Sequence, residues 1–406
     1  MTAIRIAGEA PLHQRLARMA ADAQYDVADE RGSDLRCIPD PGALTANGAR
    51  IFRTGSVPKV FLSNDCRFNC AYCGCRCTRD QPRYDQEPME LARIALAAAR
   101  QNGRGVFISS AICRSADYTQ ERIAETVRCL RRALGYPGYI HAKVMPGADP
   151  GLIALTGRYA DRLSVNIEVA QSAGYQQIAK QKNRDNILTP MGEISRQIRE
   201  ARGEGRGFAT SQTTQLMAGS IQESDRTILT LAQALYRKYR LKRVYYTAFH
   251  YEHPAQGYDL PPAVTPAWRT RRLYQADRLL ALYGFAPEEL ATGAQPNLRE
   301  DLDPKVQWAL WNLDRFPLEI NRASYEELLR VPGIGIVYAR RILQARRWGA
   351  LSPDGLAHLG IPLTRCAYFV TCGGRYLGGR WLDRPAALAR RLADPPPERI
   401  EQLSCI

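Results

Sequence analysis

Histidine is scarce in this sequence, five residues in 406. That argues against a histidine-based hydrolase and against a polyhistidine metal site. Acid is short relative to base, with 41 Asp and Glu against 56 Lys and Arg and a formal net charge of +15. An excess of that size suits an anionic partner, most simply nucleic acid, although it also serves plain solubility. No apolar run approaches the ~20 residues that a membrane-spanning helix needs, so no membrane partner is expected. The stretch from Met1 to Arg18 lacks the apolar core of a secretory signal. With no export signal, the eleven cysteines point to a reducing cytoplasm and to thiols used as ligands rather than as disulfides.

Hydrophobic residues make up 45% of the chain, enough for a globular protein with two or three domains. Short apolar runs alternate with helical patterns from Lys59 to Phe249. The expected strands begin near Lys59, Gly105, Tyr139, Arg162, Phe208 and Lys242. Helices are expected over Met89 to Gln101 with Pro88 opening the first turn, over Thr119 to Leu134 with Thr119 as N-cap, over Ala170 to Ala179, and over Gly192 to Arg202. Six β-α units of this kind predict an α/β fold with a parallel sheet, a partial (β/α)6 barrel. In such a barrel, chemistry sits at the C-terminal ends of the strands.

Directly after the first apolar run comes Cys66-Arg67-Phe68-Asn69-Cys70-Ala71-Tyr72-Cys73. Thiolates are the ligands of iron–sulfur clusters, and three on one loop can wrap a single cluster. Three are one short of a fully ligated four-iron cluster, so the fourth iron would keep an open position for substrate. Cys75 and Cys77 follow, and five cysteines in so short a stretch also fit a zinc knuckle. The x3–x2 spacing, the aromatic residue and the preceding strand favour iron–sulfur. The second strand runs out into Ser109 and Ser110. The fourth carries Asn166 and Glu168, two apart and therefore on one face; a carboxylate facing a barrel interior is either ion-paired or functional. His250, Glu252 and His253 end the last strand.

The cysteine loop, with its aromatic and its preceding strand, resembles the radical S-adenosylmethionine (radical SAM) superfamily. The resemblance implies a 4Fe-4S cluster on Cys66, Cys70 and Cys73, with S-adenosyl-L-methionine chelated by the open iron and cleaved to a 5′-deoxyadenosyl radical. It implies an external electron donor such as flavodoxin or ferredoxin. It places Ser109, Ser110, Asn166, Glu168 and Gly219 at the SAM site, although Ser109-Ser110 departs from the Gly-Gly-Glu-like turn usual after the second strand.

Beyond the Pro-rich stretch from Pro254 to Pro266, the chain reads as helical and basic. Ser324 and Glu327 form a capping-box pattern, and Pro332-Gly333-Ile334-Gly335 a tight turn before a second helix from Ile336 to Arg347. This pair resembles the helix-hairpin-helix module, in which glycines admit a phosphate to the backbone N–H groups of a helix N-terminus. Gly333, Gly335, Arg340 and Arg341 are its candidate nucleic-acid contacts. The expected domains are a lead-in over 1–55, the barrel over 56–255, a helical extension over 256–318, the hairpin over 319–350 and a tail over 351–406. In order, these parts resemble a bacterial family of radical SAM proteins named for DNA modification or repair. The residues concerned include Tyr25-Asp26-Val27, Tyr118-Thr119, Thr213-Thr214-Gln215, Asp303-Pro304-Lys305 and Val331 to Gly335. The function so implied is radical modification or repair of nucleic acid, DNA ahead of RNA. The alternatives are a radical SAM enzyme acting on a small molecule or inserting sulfur, and a non-enzymatic zinc and nucleic-acid binding protein.

Overall fold

The computed structural model of the chain describes residues 53–54, 57–102, 105–251, 255–260 and 263–394. These form two compact units, one reaching Glu223 and taking in Ala234–Pro266, the other built from Ser224–Gln233 and the residues from Ala267 on. Tyr25 to Val27, Glu252 and His253 lie outside the described residues.

The first unit is organised on a seven-stranded sheet: β1 (Arg53–Thr54), β2 (Val57–Phe61), β3 (Val106–Ser109), β4 (Ile140–Lys143), β5 (Arg162–Ser164), β6 (Ser211–Ala218) and β7 (Arg243–Ala248). β1 pairs antiparallel with β2, and the other six follow in sequence order, all parallel. Helices fill the crossovers: α1 (Pro88–Asn102), α2 (Ala116–Arg128), α3 (Pro150–Gly157), α4 (Ala173–Ile178), α5 (Arg184–Glu204) and α6 (Asp225–Tyr239), the last belonging to this unit only from Ala234 on. This is the α/β half-barrel that the alternation predicts.

Register sets what faces inward. Lys59, Phe107, His141, Arg162 and Ser211 are aligned across five strands. Two residues on, Phe61 is opposite Ser109, and Lys143, Ser164, Thr213 and Arg243 are aligned. Side chains two apart share a face, so this second row points the same way, one step nearer the C-terminal rim. The interior is unusually polar. Buried Lys59 lies 5.5 Å from the Phe61 ring and 5.3 Å from that of Phe107, and His141 stacks on Phe107 at 4.1 Å.

Three helix starts differ from expectation, α4 beginning at Ala173 rather than Ala170. α2 begins at Ala116, capped by Ser115, whose hydroxyl accepts from Tyr118 N–H at 3.0 Å. Thr119 is not the cap: it is buried one turn in, bonding the Cys113 and Ser115 carbonyls. α5 starts eight residues before Gly192. The Asn183–Asn186 capping box fixes its start, and Pro190 inside it does not break it. Proline withholds only the bond to the carbonyl four residues back, and that Asn186 carbonyl instead accepts Gly147 N–H at 2.6 Å. Gly205, with φ +64°, closes the helix.

In the second unit α7 (Ala267–Tyr283), α8 (Pro287–Leu290) and α9 (Pro304–Trp311) precede the hairpin helices α10 (Tyr325–Arg330) and α11 (Ile336–Ala345). α12 (Pro353–His358), α13 (Leu363–Cys366) and α14 (Pro385–Leu392) follow. The unit is mainly helical, as expected, but three short strands, Leu318–Glu319, Val370–Cys372 and Arg375–Tyr376, join in a small sheet. The Glu319 carboxylate accepts N–H groups of Asn321, Gly373 and Gly374 at 2.9 to 3.1 Å and so ties the first strand to the turn between the other two.

Candidate functional site

At the C-terminal mouth of the parallel strands a pocket of about 110 Å3 opens. Its wall includes Cys66, Cys70, Cys73 and Cys75 from the loop after β2, Ser109 and Ser110 from the end of β3, Lys143, and Asn166 and Glu168. Every candidate cluster cysteine is therefore on it, with four of the five candidate SAM contacts. Gly219 is not: it follows β6 with φ +83°, and its N–H donates to the Glu223 carboxylate at 2.5 Å.

The cysteine loop is held from several sides. Arg67 N–H donates to the Ile112 carbonyl and Ala71 N–H to that of Ile178, both at 2.8 Å. Buried Arg83 spreads its guanidinium over four loop carbonyls, those of Asn64 (2.6 Å), Cys75 (2.9 Å), Arg76 (2.7 Å) and Arg79 (2.8 Å). Backbone N–H groups also aim at sulfur, Phe68 at Cys66 Sγ (3.3 Å) and Cys75 at Cys73 Sγ (3.4 Å). Such bonds favour a negatively charged sulfur.

Electrostatically the three thiols are in tension. Burial, then the charges of Cys73 and Cys70, push the Cys66 thiol far above its ordinary range. Burial pushes Cys70 up to about 12, against the pull of Lys182. Cys73 is drawn down to about 7, chiefly by its hydrogen bond from the Cys75 side chain. Burial and mutual repulsion hold Cys66 and Cys70 as neutral thiols, and a multiply charged metal centre is the species that would displace their protons and bind them as thiolates. The chemistry of the donor set suits a cluster on that ground, but the side chains are not gathered around one. Among the described residues no three His, Cys, Asp or Glu side chains are grouped to hold a metal ion.

Opposite the sulfurs stands a charged group that the sequence did not reveal. Lys182, in the link between α4 and α5, donates to Glu168 Oε1 at 2.7 Å and to the Tyr72 hydroxyl at 3.1 Å. The pair's side chains are 11% and 6% exposed, so it is an interior ion pair. Burial works against the Lys182 charge, but Glu168 and Cys70 outweigh it and hold the ammonium form. The second carboxylate oxygen, Glu168 Oε2, is buried and has no hydrogen-bond partner, an acceptor left over for a ligand.

Glu168 is not on a regular strand, as its spacing had suggested. β5 ends at Ser164, and Glu168 has left-handed backbone, φ +63°. Its N–H donates to Gln215 O (3.0 Å) and its carbonyl accepts Met217 N–H (2.8 Å), so β6 carries it. The Thr214 hydroxyl bridges the interruption, accepting Ile167 N–H and donating to Val165 O. A non-glycine residue in this region of backbone space is strained, and such residues gather at ligand sites. His250 is exposed and not on the pocket wall.

In the second unit the capping box forms as expected, Ser324 Oγ accepting Glu327 N–H at 3.1 Å and Glu327 Oε2 accepting Ser324 N–H at 2.7 Å. The glycines of the turn are not open to a ligand in the way the module suggests. Gly333 has φ +86°, and a Cβ on it would stand 3.1 Å from Arg365 Cβ and 3.3 Å from Cys366 N; a Cβ on Gly335 would stand 3.0 Å from the Tyr283 hydroxyl. This chain's own side chains fill the space. Arg340 and Arg341 are exposed, Arg341 reaching the Leu359 carbonyl at 3.2 Å, and Trp348 is 91% exposed.

No family model matches the sequence, and no curated protein matches it. Solved structures resemble part of the chain, about half of it in each case. One is the FeFe-hydrogenase maturase HydG from Carboxydothermus hydrogenoformans, at 15% identity and TM-score 0.44, covering 55% of this chain and 51% of that one. Methylornithine synthase (PylB) aligns at 13% identity and TM-score 0.41, over 55% of this chain and 61% of that one. The radical S-adenosylmethionine methyltransferase TsrM from Kitasatospora setae, solved with cobalamin and a 4Fe-4S cluster bound, aligns at 12% and 0.34, over 48% and 36%. The chain thus spans between about a third and three fifths of the structures it resembles.

Proposed function

We propose that this chain is a radical SAM enzyme whose target is nucleic acid, DNA ahead of RNA. One observation carries the enzyme reading. Three cysteines at C-x3-C-x2-C spacing share one pocket, at the C-terminal mouth of a parallel half-barrel, with a buried Lys182–Glu168 pair. Cys66, Cys70 and Cys73 would hold a 4Fe-4S cluster, which when bound supplies one-electron reductive cleavage of SAM, the electron coming from a donor such as flavodoxin or ferredoxin. The chain's own residues do the rest. Arg83 fixes the loop. Phe68 and Cys75 N–H groups stabilise thiolate charge. Lys182 places a cation beside the sulfurs and holds Glu168, whose Oε2 would be free to accept a hydrogen bond from bound SAM. Ser109, Ser110 and Asn166 add polar contacts on the same wall.

Iron and sulfide analysis of protein purified without oxygen tests this reading. About four of each per chain are expected, lost in Cys70→Ala. Zinc without iron would overturn it in favour of the zinc-binding alternative.

The nucleic-acid reading rests on the net charge of +15 and on exposed Arg340, Arg341 and Trp348 of the hairpin. A base stacked in a duplex cannot enter a barrel mouth, so the substrate would be single-stranded or flipped out. Because Gly333 and Gly335 are crowded by their own chain, the side chains rather than the glycines are the place to test. Arg340→Ala, Arg341→Ala should weaken DNA binding, and wild-type affinity should fall with log salt by roughly 0.9 per phosphate neutralised on a duplex. Unchanged affinity in that variant would move the small-molecule reading to first place.

A further inference from the structure

The sheet carries a second pocket at its other end. At the N-terminal ends of β5 to β7, away from the cysteine loop, a pocket of about 410 Å3 is lined by Arg162, Arg199, Arg202, Arg240 and Lys242, together with Ser211 and other hydroxyl-bearing or apolar side chains, and by no acidic residue. The cations come from three places in the chain: the first residue of β5, the last two turns of α5, and the link from α6 to β7. Arg162 is 7% exposed; its Nε donates to Ser211 Oγ at 3.0 Å and its guanidinium lies 5.5 Å from the Tyr139 ring. The other four are exposed.

Carboxylates do exist nearby in sequence, but each is used elsewhere. Asp161 pairs with Arg131 at 2.6 Å, Glu200 with Arg196 at 2.6 Å, and Glu204 with Arg206. Among the described residues Arg199, Arg202, Arg240 and Lys242 enter no ion pair. Arg199 and Arg202 are three apart and share a helix face. Arg240 takes left-handed backbone, φ +50°, just past the end of α6, a position where glycine is the ordinary choice. Converging like charges repel, and an arrangement that leaves them together with no carboxylate is completed by an anion.

We infer that this pocket binds a small polyphosphate, a molecule carrying two or three adjoining phosphate groups. Phosphate chemistry follows from arginine forks and hydroxyls converging on one volume. A small molecule rather than a nucleic-acid strand follows from the arrangement: the cations surround a concavity instead of forming the stripe that tracks a backbone. The site is separate from the cysteine pocket and does not depend on what that pocket does.

Calorimetry with inorganic tripolyphosphate at 0.15 M salt tests the inference on the full chain. Binding is expected, and Arg199→Ala, Arg202→Ala should weaken it by about tenfold or more, since two charge-assisted contacts go while alanine keeps the helix. A control, Arg93→Ala, Arg100→Ala on α1, removes the same charge elsewhere and should leave affinity within about threefold. No binding at millimolar tripolyphosphate would overturn the inference, and so would equal weakening in both double variants, which would reduce the effect to net charge. Loss of single-stranded DNA affinity in the pocket variant, with tripolyphosphate unbound by the wild type, would also overturn it and make the pocket a nucleic-acid contact.

Discussion

Replacing Lys182 by methionine removes one half of the interior ion pair and little volume. Glu168 would then lie in the pocket wall with its 2.7 Å partner gone and its second oxygen already without a hydrogen bond. Two unit charges 4 Å apart attract by about 4 kcal/mol at an effective dielectric constant near 20, and breaking a buried pair by removing one partner costs about 3–5 kcal/mol. The Tyr72 hydroxyl loses a donor as well. Urea denaturation of Lys182→Met should therefore show a loss of about 3 kcal/mol or more. The double variant Lys182→Met, Glu168→Gln leaves no uncompensated charge, and should recover most of it. The coupling from the full cycle should exceed about 1.5 kcal/mol, well above the 0.2–1 kcal/mol of exposed pairs. A single-variant loss below about 1 kcal/mol, or additivity within about 0.5 kcal/mol, would refute the interior placement of the pair and with it the electrostatic account of the pocket.

Three further outcomes follow. Arg83→Lys cannot span four carbonyls with one ammonium, so iron retention should drop and protease cleavage between Cys66 and Arg83 should quicken; wild-type iron content in the variant would count against Arg83 as the loop's anchor. Lys305 is buried, and burial brings its amine down from 10.5 to about 7 while its Nζ donates to Ile334 O at 2.6 Å. Between those values the unfolded chain holds more protons, so stability rises with pH through that window; it falls as pH drops from about 10.5 and the loss is complete by about 7. Lys305→Met should flatten that slope and be the more stable protein at pH 6 by a few kcal/mol, at about 1.4 kcal/mol per pH unit less about 1–3 for an unpaired carbonyl; parallel stability curves for the two proteins would refute it. Gly333→Ala places a methyl 3.1 Å from Arg365 Cβ at φ +86°, and thermal or urea unfolding should register a loss of about 1–2 kcal/mol from backbone strain alone. An unaffected variant would show the turn to be looser than its geometry.

What was legible in the sequence was what is local. Cysteine spacing on a single loop needs no distant partner, so Cys66, Cys70 and Cys73, which share one pocket wall, could be read as a set. Short apolar runs between amphipathic helices are what a parallel sheet requires, so the half-barrel could be read too. Pro88 and the Ser324–Glu327 box mark helix starts because capping is settled within one turn. Thr119 and the stretch before Gly192 were misread because a better cap stood a few residues upstream, and because the Asn186 carbonyl freed by Pro190 finds Gly147, 39 positions away by numbering.

The rest was decided by tertiary structure. Nothing near Lys182 in the chain marks it as the partner of Tyr72, 110 residues earlier. The left-handed turn that aims Glu168 is held by Gln215 and Met217 of the next strand. Arg83 gathers carbonyls that only a folded loop brings together, and the cations of the second pocket come from separate elements whose strand ends are aligned by register. A pattern in sequence reports periodicity and spacing along the chain. Which charges end up facing each other is set by sheet register and crossover packing, which involve residues far apart in the chain.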